Sequence, residues 1–585
     1  MELYLLLKEV TKSRLALLCG LVFFLGTNSL AAPPHPNLEA EIESGQKAKP
    51  PFLERLSALR AQGVCTGAEH HAPQNAMKLA GAGLAPGANG SSAAAPFRVL
   101  TILVDFSDKA SSVSPIFFDT LVYENLSGTV RHYYNEISYG QLDIVTVNLP
   151  SALGWKTAPQ TYSYYTNSQN GIGAYPQNTQ KLVEDIVDLI NPIVDFSVYD
   201  NDLDGTVDFI ALIHTGPGAE FTGSPNDIWS HKWSISPRTL DGVTVRDFTV
   251  QPEYWSAPGD MTCGVFTHEL GHAFGLPDLY DLDGSSWGLG RWSLMAVGSW
   301  NGPSSLGESP SHPDAWSRIQ MGFATATNIT TNSVGTKAPS VNSGNNIFSL
   351  WTGGVIGSEY FLVENRQKTG YDSYIPNSGI IIWHIDETQS NNSNEWYPGN
   401  TASGNYLVAL EQADGLWNLE KNGDPGSSGD PFPGLTNNID FSPSTTPNSN
   451  SYSGITTFVG VTNISPSADT MTVNFTVALA AGLGDEEDIT PLPNAFTLYQ
   501  NYPNPFNPST TISFYNGTGG NVTVTVYNVI GQEVTVVSDG YYPAGSGEVV
   551  WNGTNTSGES VSSGVYFYEV VTEEVREVRT MTLLK

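Results

Sequence analysis

The chain has 585 residues, of which 40% are hydrophobic and only 14% charged, with 58 glycines and 37 prolines. That length is too great for one hydrophobic core, and the glycine and proline content favours a β-rich, loop-rich, multidomain protein over a helical one. A net charge of −33 repels nucleic acid and anionic membranes, which argues against both as partners, whereas acidic clusters suit calcium.

The first residues read as a secretory signal, residues 1–31. Lys8, Lys12 and Arg14 form a positive region, Leu15 to Leu25 an apolar core, and Ser29-Leu30-Ala31 offers small residues for cleavage after Ala31. The apolar run is too short for a membrane anchor, and no later segment is long and apolar enough to span. Cys19 lacks a convincing lipobox. Residues 32–95 are rich in Ala, Pro and Gly, with one helical stretch around Pro51 to Gln62 and a run of small residues from Gly81 to Ala95. Such a flexible, protease-accessible stretch reads as a pro-peptide.

Order is expected from Phe97. The apolar run Phe97 to Phe106 predicts a buried strand, Val130 to Ile137 and Asn178 to Ile190 predict helices, and Val207 to His214 predicts a second central strand. A helix over Val265 to Phe274 completes an α/β catalytic domain spanning 96–327. From 328 to 480 the pattern shifts to short strands, such as Tyr360 to Glu364 and Gly379 to Ile385, in a β-rich domain associated with the catalytic one. An acidic, Gly- and Pro-containing linker follows at 481–493. Residues 494–585 alternate apolar and polar, as in Val522 to Tyr527, and predict a C-terminal β-sandwich.

The most informative segment is His268-Glu269-Leu270-Gly271-His272-Ala273-Phe274-Gly275-Leu276-Pro277-Asp278. Residues four apart share a helix face, so His268 and His272 can bind one zinc ion, with Glu269 as general base toward the attacking water. Gly275 can end the helix and turn the chain so that Asp278 becomes the third ligand. The spacing is that of metzincins, with Asp in place of the more usual His, and Met295 lies at a suitable distance for their methionine turn. His312 is a candidate helper for the oxyanion, although a helix-start role suits it better. His214 and His231 read as structural.

Asp200, Asp202, Asp204 and Asp208, with Gly205, follow the opening of a calcium loop, but Ala211 stands where an EF-hand has its bidentate Glu. Asp281 and Asp283 are weaker candidates for a second ion. After the signal, two cysteines remain. Cys65 and Cys263 form a disulfide tying the pro-segment to the catalytic domain, or Cys65 caps the zinc as a thiolate, or both are unrelated buried thiols. The sequence leaves the three open.

Several segments together resemble the immune inhibitor A-like metallopeptidase family. They are Tyr133 to Leu142, Asp200 to Asp208, His214 to Glu220, Asp227 to Trp233, the His268 to Asp278 segment, the Met295 turn and Gly379 to Glu387. The resemblance implies secreted zinc endopeptidases with pro-peptides and calcium-stabilised folds. It supports His268 and His272 as ligands and Glu269 as catalyst. Leu498 to Thr510, Val526 to Val534 and Gly564 to Phe567 resemble a type IX secretion sorting domain, which implies export through an outer-membrane secretion machinery and a secreted or bacterial cell-surface location. The reading is a monomeric, secreted, zymogenic zinc endopeptidase with a metzincin-like catalytic domain, acting on extracellular proteins. Its alternatives are a surface adhesin with a residual metal site and a zinc hydrolase for one dedicated substrate.

Overall fold

A six-stranded sheet organises the N-terminal half. In chain order the strands of this region are β1 (Leu30–Ala31), β2 (Ala95–Arg98), β3 (Leu100–Asp105), β4 (Leu142–Val145), β5 (Lys156–Thr157), β6 (Ile210–Pro217), β7 (His231–Leu240) and β8 (Val243–Tyr254). The computed structural model describes residues 30–55, 95–478 and 496–584, apart from 283, 401–403, 500, 502–503, 505, 517–518, 544 and 573–574. Cys65, Asp283, the whole of the expected linker and the expected helix beyond Arg55 lie outside the described residues. The main sheet runs β1-β7-β8-β6-β3-β5. Strands β5, β3, β6 and β8 are parallel, β7 is antiparallel to β8, and β1 is antiparallel to β7.

The side-chain period of two assigns the two faces. Leu100, Ile102 and Val104 join Leu212, Phe248 and Val250 in one core beneath the Thr179–Ile190 helix. Leu103, Ala211 and Ile213 face a second core with Val265 and Leu270 of the Cys263–Ala273 helix. Both faces are covered, which is why β3 and β6 read as unbroken apolar runs. The helix starts are capped by side chains: Thr129 accepts from the His132 amide and Asn178 from the Lys181 amide.

Two expected strands differ in extent. The Phe97 to Phe106 run breaks at Val99, whose amide donates to Val145 O, so β2 pairs with β4 while β3 enters the main sheet. The strand expected from Val207 begins at Ile210, because the Asp208 carboxylate is engaged by the Asn201 amide in the preceding loop.

Residues beyond Phe323 build a five-stranded sheet containing Glu359–Arg366 and Gly379–Asp386, and a three-stranded sheet containing Thr470–Thr476. This region shares its core with the metal-helix side of the main sheet. A fully buried charge network joins the two. Arg318 pairs with Glu364, and Arg366 with Glu364 at 3.3 Å and Asp372 at 2.6 Å. Arg366 also donates to Trp292 O and His312 O, and Trp383 donates to Glu364. Near the C-terminus, a three-stranded and a four-stranded antiparallel sheet enclose a separate core around Phe514, Val524, Trp551 and Tyr568. Among the described residues no helix is long and apolar enough to cross a membrane.

His384, on the Gly379–Asp386 strand, is buried between Glu359 and Glu411, each 3.0 Å from a ring nitrogen, and stacks on Tyr452. Burial opposes its charge, but the two carboxylates outweigh burial and raise its pKa to about 9. A folded-state pKa above the unfolded value contributes stability that is complete below about pH 6.5 and is lost as pH rises through 9. Thermal unfolding followed from pH 6.5 to 9.5 should therefore show a loss on the order of 1–3 kcal/mol that His384→Gln removes. Equal pH slopes in the two proteins would refute the assignment.

Candidate metal centre

The Cys263–Ala273 helix is buried from Cys263 through His272. It ends where Gly275 adopts φ +91°. Gly275 N donates to His272 O and Leu276 N to Gly271 O, the paired bonds of a Schellman cap. Only glycine takes that conformation without strain, and it turns the chain so that Asp278 returns to the helix face carrying both histidines. Beneath this face lies Met295, fully buried. A Cβ added at Gly271 would sit 2.7 Å from its sulfur, so glycine allows the helix to rest directly on the methionine.

His268, His272 and Asp278 converge, with their donor atoms within 4.8 Å of one another. The two Nε2 atoms are 3.1 Å apart, and each is 3.2 Å from Asp278 Oδ1. Each Nδ1 faces a carbonyl, Leu294 O at 2.9 Å and Leu276 O at 2.8 Å. A carbonyl only accepts, so the proton of each neutral ring sits on Nδ1 and Nε2 presents its lone pair inward. Burial holds the His272 pKa below its ordinary value. For Asp278 burial acts upward, but the two imidazoles beside it, His272 foremost, bring the carboxyl below its usual range. Three lone-pair donors with no proton between them fit a cation. Asp278 Oδ1 accordingly makes no hydrogen bond.

Glu269 is completely buried, and neither carboxylate oxygen has a hydrogen-bond partner. Burial, then the Asp278 charge, raises its pKa well above the ordinary value, which suits a group that takes and returns a proton. The backbone of β1 lies across the cluster. Ala31 O is 3.2 Å from His268 Nε2 and accepts from the Tyr280 hydroxyl at 2.7 Å. Tyr280 was missed in the sequence. Its only signal there is its position two residues after the third candidate ligand.

The other candidates separate clearly. Asp200, Asp202 and Asp204 form a second acidic group in a loop whose amides they bind, including Gly205 N to Asp200 at 2.9 Å. Asp208 stands apart from that group, 2.9 Å from the Asn201 amide. His312 is buried, with its Nε2 3.2 Å from Glu136 and its amide donating to Asp372, which fits the helix-start role better than that of an oxyanion helper. His214 and His231 are buried, bonded to Thr215 O and to Trp229 O. Asp281 accepts from Ser285 and Ser286. Cys263 is a buried thiol without a disulfide partner among the described residues, and burial raises its pKa to about 12.

Two imidazoles, a carboxylate and an adjacent buried glutamate make the donor set of a metal-dependent hydrolase. Comparison with known proteins agrees. Residues 113–324 match the immune inhibitor A peptidase M6 catalytic domain, and residues 504–574 match the FlgD Ig-like domain. Over 208 residues the chain is 29% identical to immune inhibitor A of Bacillus thuringiensis subsp. alesti, covering 30% of this chain and 29% of that protein. Over 278 residues it is 25% identical to the pre-pro-metalloprotease PrtV of Vibrio cholerae serotype O1 (strain M66-2), covering 38% of this chain and 29% of that one. The matched part thus spans under a third of these relatives. Among solved structures, OgpA of Akkermansia muciniphila aligns over 85% of this chain and 95% of its own, at 9% identity and a TM-score of 0.23. FlgD of P. aeruginosa aligns over 13% of this chain and 58% of its own, at 27% identity and a TM-score of 0.12. The chain therefore carries a peptidase M6 domain homologous to the immune inhibitor A and PrtV metalloproteases.

Because Gly275 sets the return of Asp278, Gly275→Val should strain the cap and lower the affinity for a divalent metal ion roughly 10–100-fold. Competition with a chromogenic chelator measures this, and unchanged affinity would mean that Asp278 does not depend on the cap.

Proposed function

We propose that the chain is the zymogen of a secreted zinc-dependent endopeptidase of metzincin type, acting on extracellular proteins. The observation that carries this is the convergence of His268, His272 and Asp278 beside the unpartnered Glu269, with a peptide carbonyl resting against them. Bound zinc supplies Lewis acidity to the scissile carbonyl and to the attacking water. Glu269 removes the proton from that water and returns it to the leaving amine. Tyr280 donates to the carbonyl oxygen, where negative charge develops. The edge strand β7 aligns the substrate backbone by adding a strand to the sheet, as β1 does here.

Latency follows from the same geometry. The segment from Ala32 to Arg55, which the expected signal cleavage after Ala31 would leave on the chain, is held by Trp229, Trp300 and Asn170, so a substrate enters only once the segment is displaced or cut. Before that cleavage Leu30 and Ala31 extend the same segment, and the Ala31 carbonyl faces the cluster. The acidic loop of Asp200, Asp202 and Asp204 is assigned to calcium, which would neutralise clustered carboxylates beside β6. The C-terminal two-sheet unit is assigned to sorting by a type IX machinery, on the residues that resemble such domains. An adhesin with a residual metal site is disfavoured by Glu269, since a site kept for structure alone gains nothing from a buried, unpartnered carboxylate.

The test is casein hydrolysis by the zinc-loaded, proteolytically matured chain. Glu269→Ala should keep about one zinc per chain and lose activity by about 10²–10⁴-fold or more, while Tyr280→Phe should lower kcat more than it raises KM. Zinc loss in Glu269→Ala would contradict the role of general base.

A further inference from the structure

The segment that lies in the cleft also shows what the cleft reads beyond the metal. Its main chain is gripped residue by residue. Leu30 and Ala31 pair with Lys232 and His231 on β7. Ala32 N donates to Ser230 O, and Ala32 O accepts from the Trp229 indole at 2.8 Å. Pro33 O accepts from the Trp300 indole at 3.1 Å, and His35 N donates to Glu220 O at 2.8 Å. The two prolines have no amide to offer, so the ladder stops at Ala32 and resumes at His35.

Backbone contacts of this kind are sequence-tolerant. The side chain of His35 is treated differently. Its ring meets Trp300 edge-on at 4.9 Å and Phe221 at 5.0 Å, and Trp255 closes the box 4.8 Å from Trp300. Edge-to-face packing at these distances is the favoured geometry between aromatic rings. Nδ1 accepts from the Asn37 amide at 3.2 Å, so Nε2 bears the proton and donates to Ser305 O at 3.0 Å. The ring is 4% exposed. His35 follows Ala31 by four residues, so along this segment the box lies on the C-terminal side of the carbonyl that faces the metal ligands.

We infer that the Phe221–Trp255–Trp300 box, closed by Ser305 O, is a specificity subsite. It selects an aromatic ring bearing a hydrogen-bond donor, His or Tyr, at the fourth residue after the scissile bond. The inference rests on the peptidase reading above, with substrate running in the direction of the Leu30 to His35 segment. Counting from the Ala31 carbonyl, Ala32 is the first residue after the bond and His35 the fourth. A ring fills the box, and its donor satisfies Ser305 O, which an aliphatic side chain would leave unpaired. Discrimination therefore has two sources, shape and one hydrogen bond, and His or Tyr should exceed Phe, and Phe should exceed Ala.

Two measurements decide it. In the full chain with residues 1–31 retained, hydrogen exchange of the Ala32 and His35 amides should accelerate at least tenfold in His35→Ala and return to within about threefold of wild type in His35→Tyr. This arm needs no activity. Equal exchange in His35→Ala and wild type would overturn the subsite. In the second arm, the zinc-loaded, self-processed full chain digests a peptide library, and cleavage sites are read by mass spectrometry. His and Tyr at the fourth position should be favoured at least tenfold over Ala, and Phe221→Ala should bring that ratio close to one. Trp300→Phe provides a second variant that keeps a ring, and should lower the ratio less. Cleavage without preference at that position overturns the inference alone. No cleavage of any peptide sinks the peptidase reading, and the inference with it.

Discussion

The structure depends on burying one helix. Cys263–Ala273 carries two imidazoles and a carboxylate into a site with almost no solvent, although each of these groups is costly to desolvate. The cost is offset in two ways. Each histidine gives its Nδ1 proton to a backbone carbonyl, and the inward lone pairs, with Asp278, await a cation. Glu269 alone stays uncompensated. A buried acid with no partner is destabilising as structure and useful as chemistry, and that imbalance marks the site more clearly than the presence of the histidines does.

What holds the helix in place extends beyond the matched peptidase domain. Arg366 belongs to the β-rich region, yet donates to Trp292 O, three residues before Met295, and to His312 O. Its charge is met by Glu364 and Asp372, and Glu364 also pairs with Arg318. These bonds run from the β-rich region to the carbonyls of Trp292 and His312, so the turn that carries Met295 and the second sheet are tied together. The shared hydrophobic core has the same consequence.

The N-terminal segment lies in the cleft as an added strand. It extends the sheet at the antiparallel edge strand, sets a carbonyl against the ligand cluster, and fills a side-chain box with His35. An exposed sheet edge is a template for added strands. Here β1 covers the edge that β7 would otherwise present.

Sequence alone determined what depends on short-range periodicity and local bonds. The four-residue spacing of His268 and His272, the glycine stop at Gly275, the helices near Val130 to Ile137 and Thr179 to Ile190, and the apolar runs of β3 and β6 all operate within a few residues, and all are legible there. The return of Asp278 was legible for the same reason, because a glycine cap acts over three residues. Tertiary structure alone decided what depends on contacts between distant residues. Val99 splits a run that reads as one strand because Val145 captures its amide. The His312 ring is met by Glu136, 176 positions away in the chain. Tyr280 becomes part of the site only when Ala31 is laid beside it, 249 residues distant in the chain. A hydrogen bond has no sequence signature when its partners are brought together by burial, and burial is a property of the whole fold.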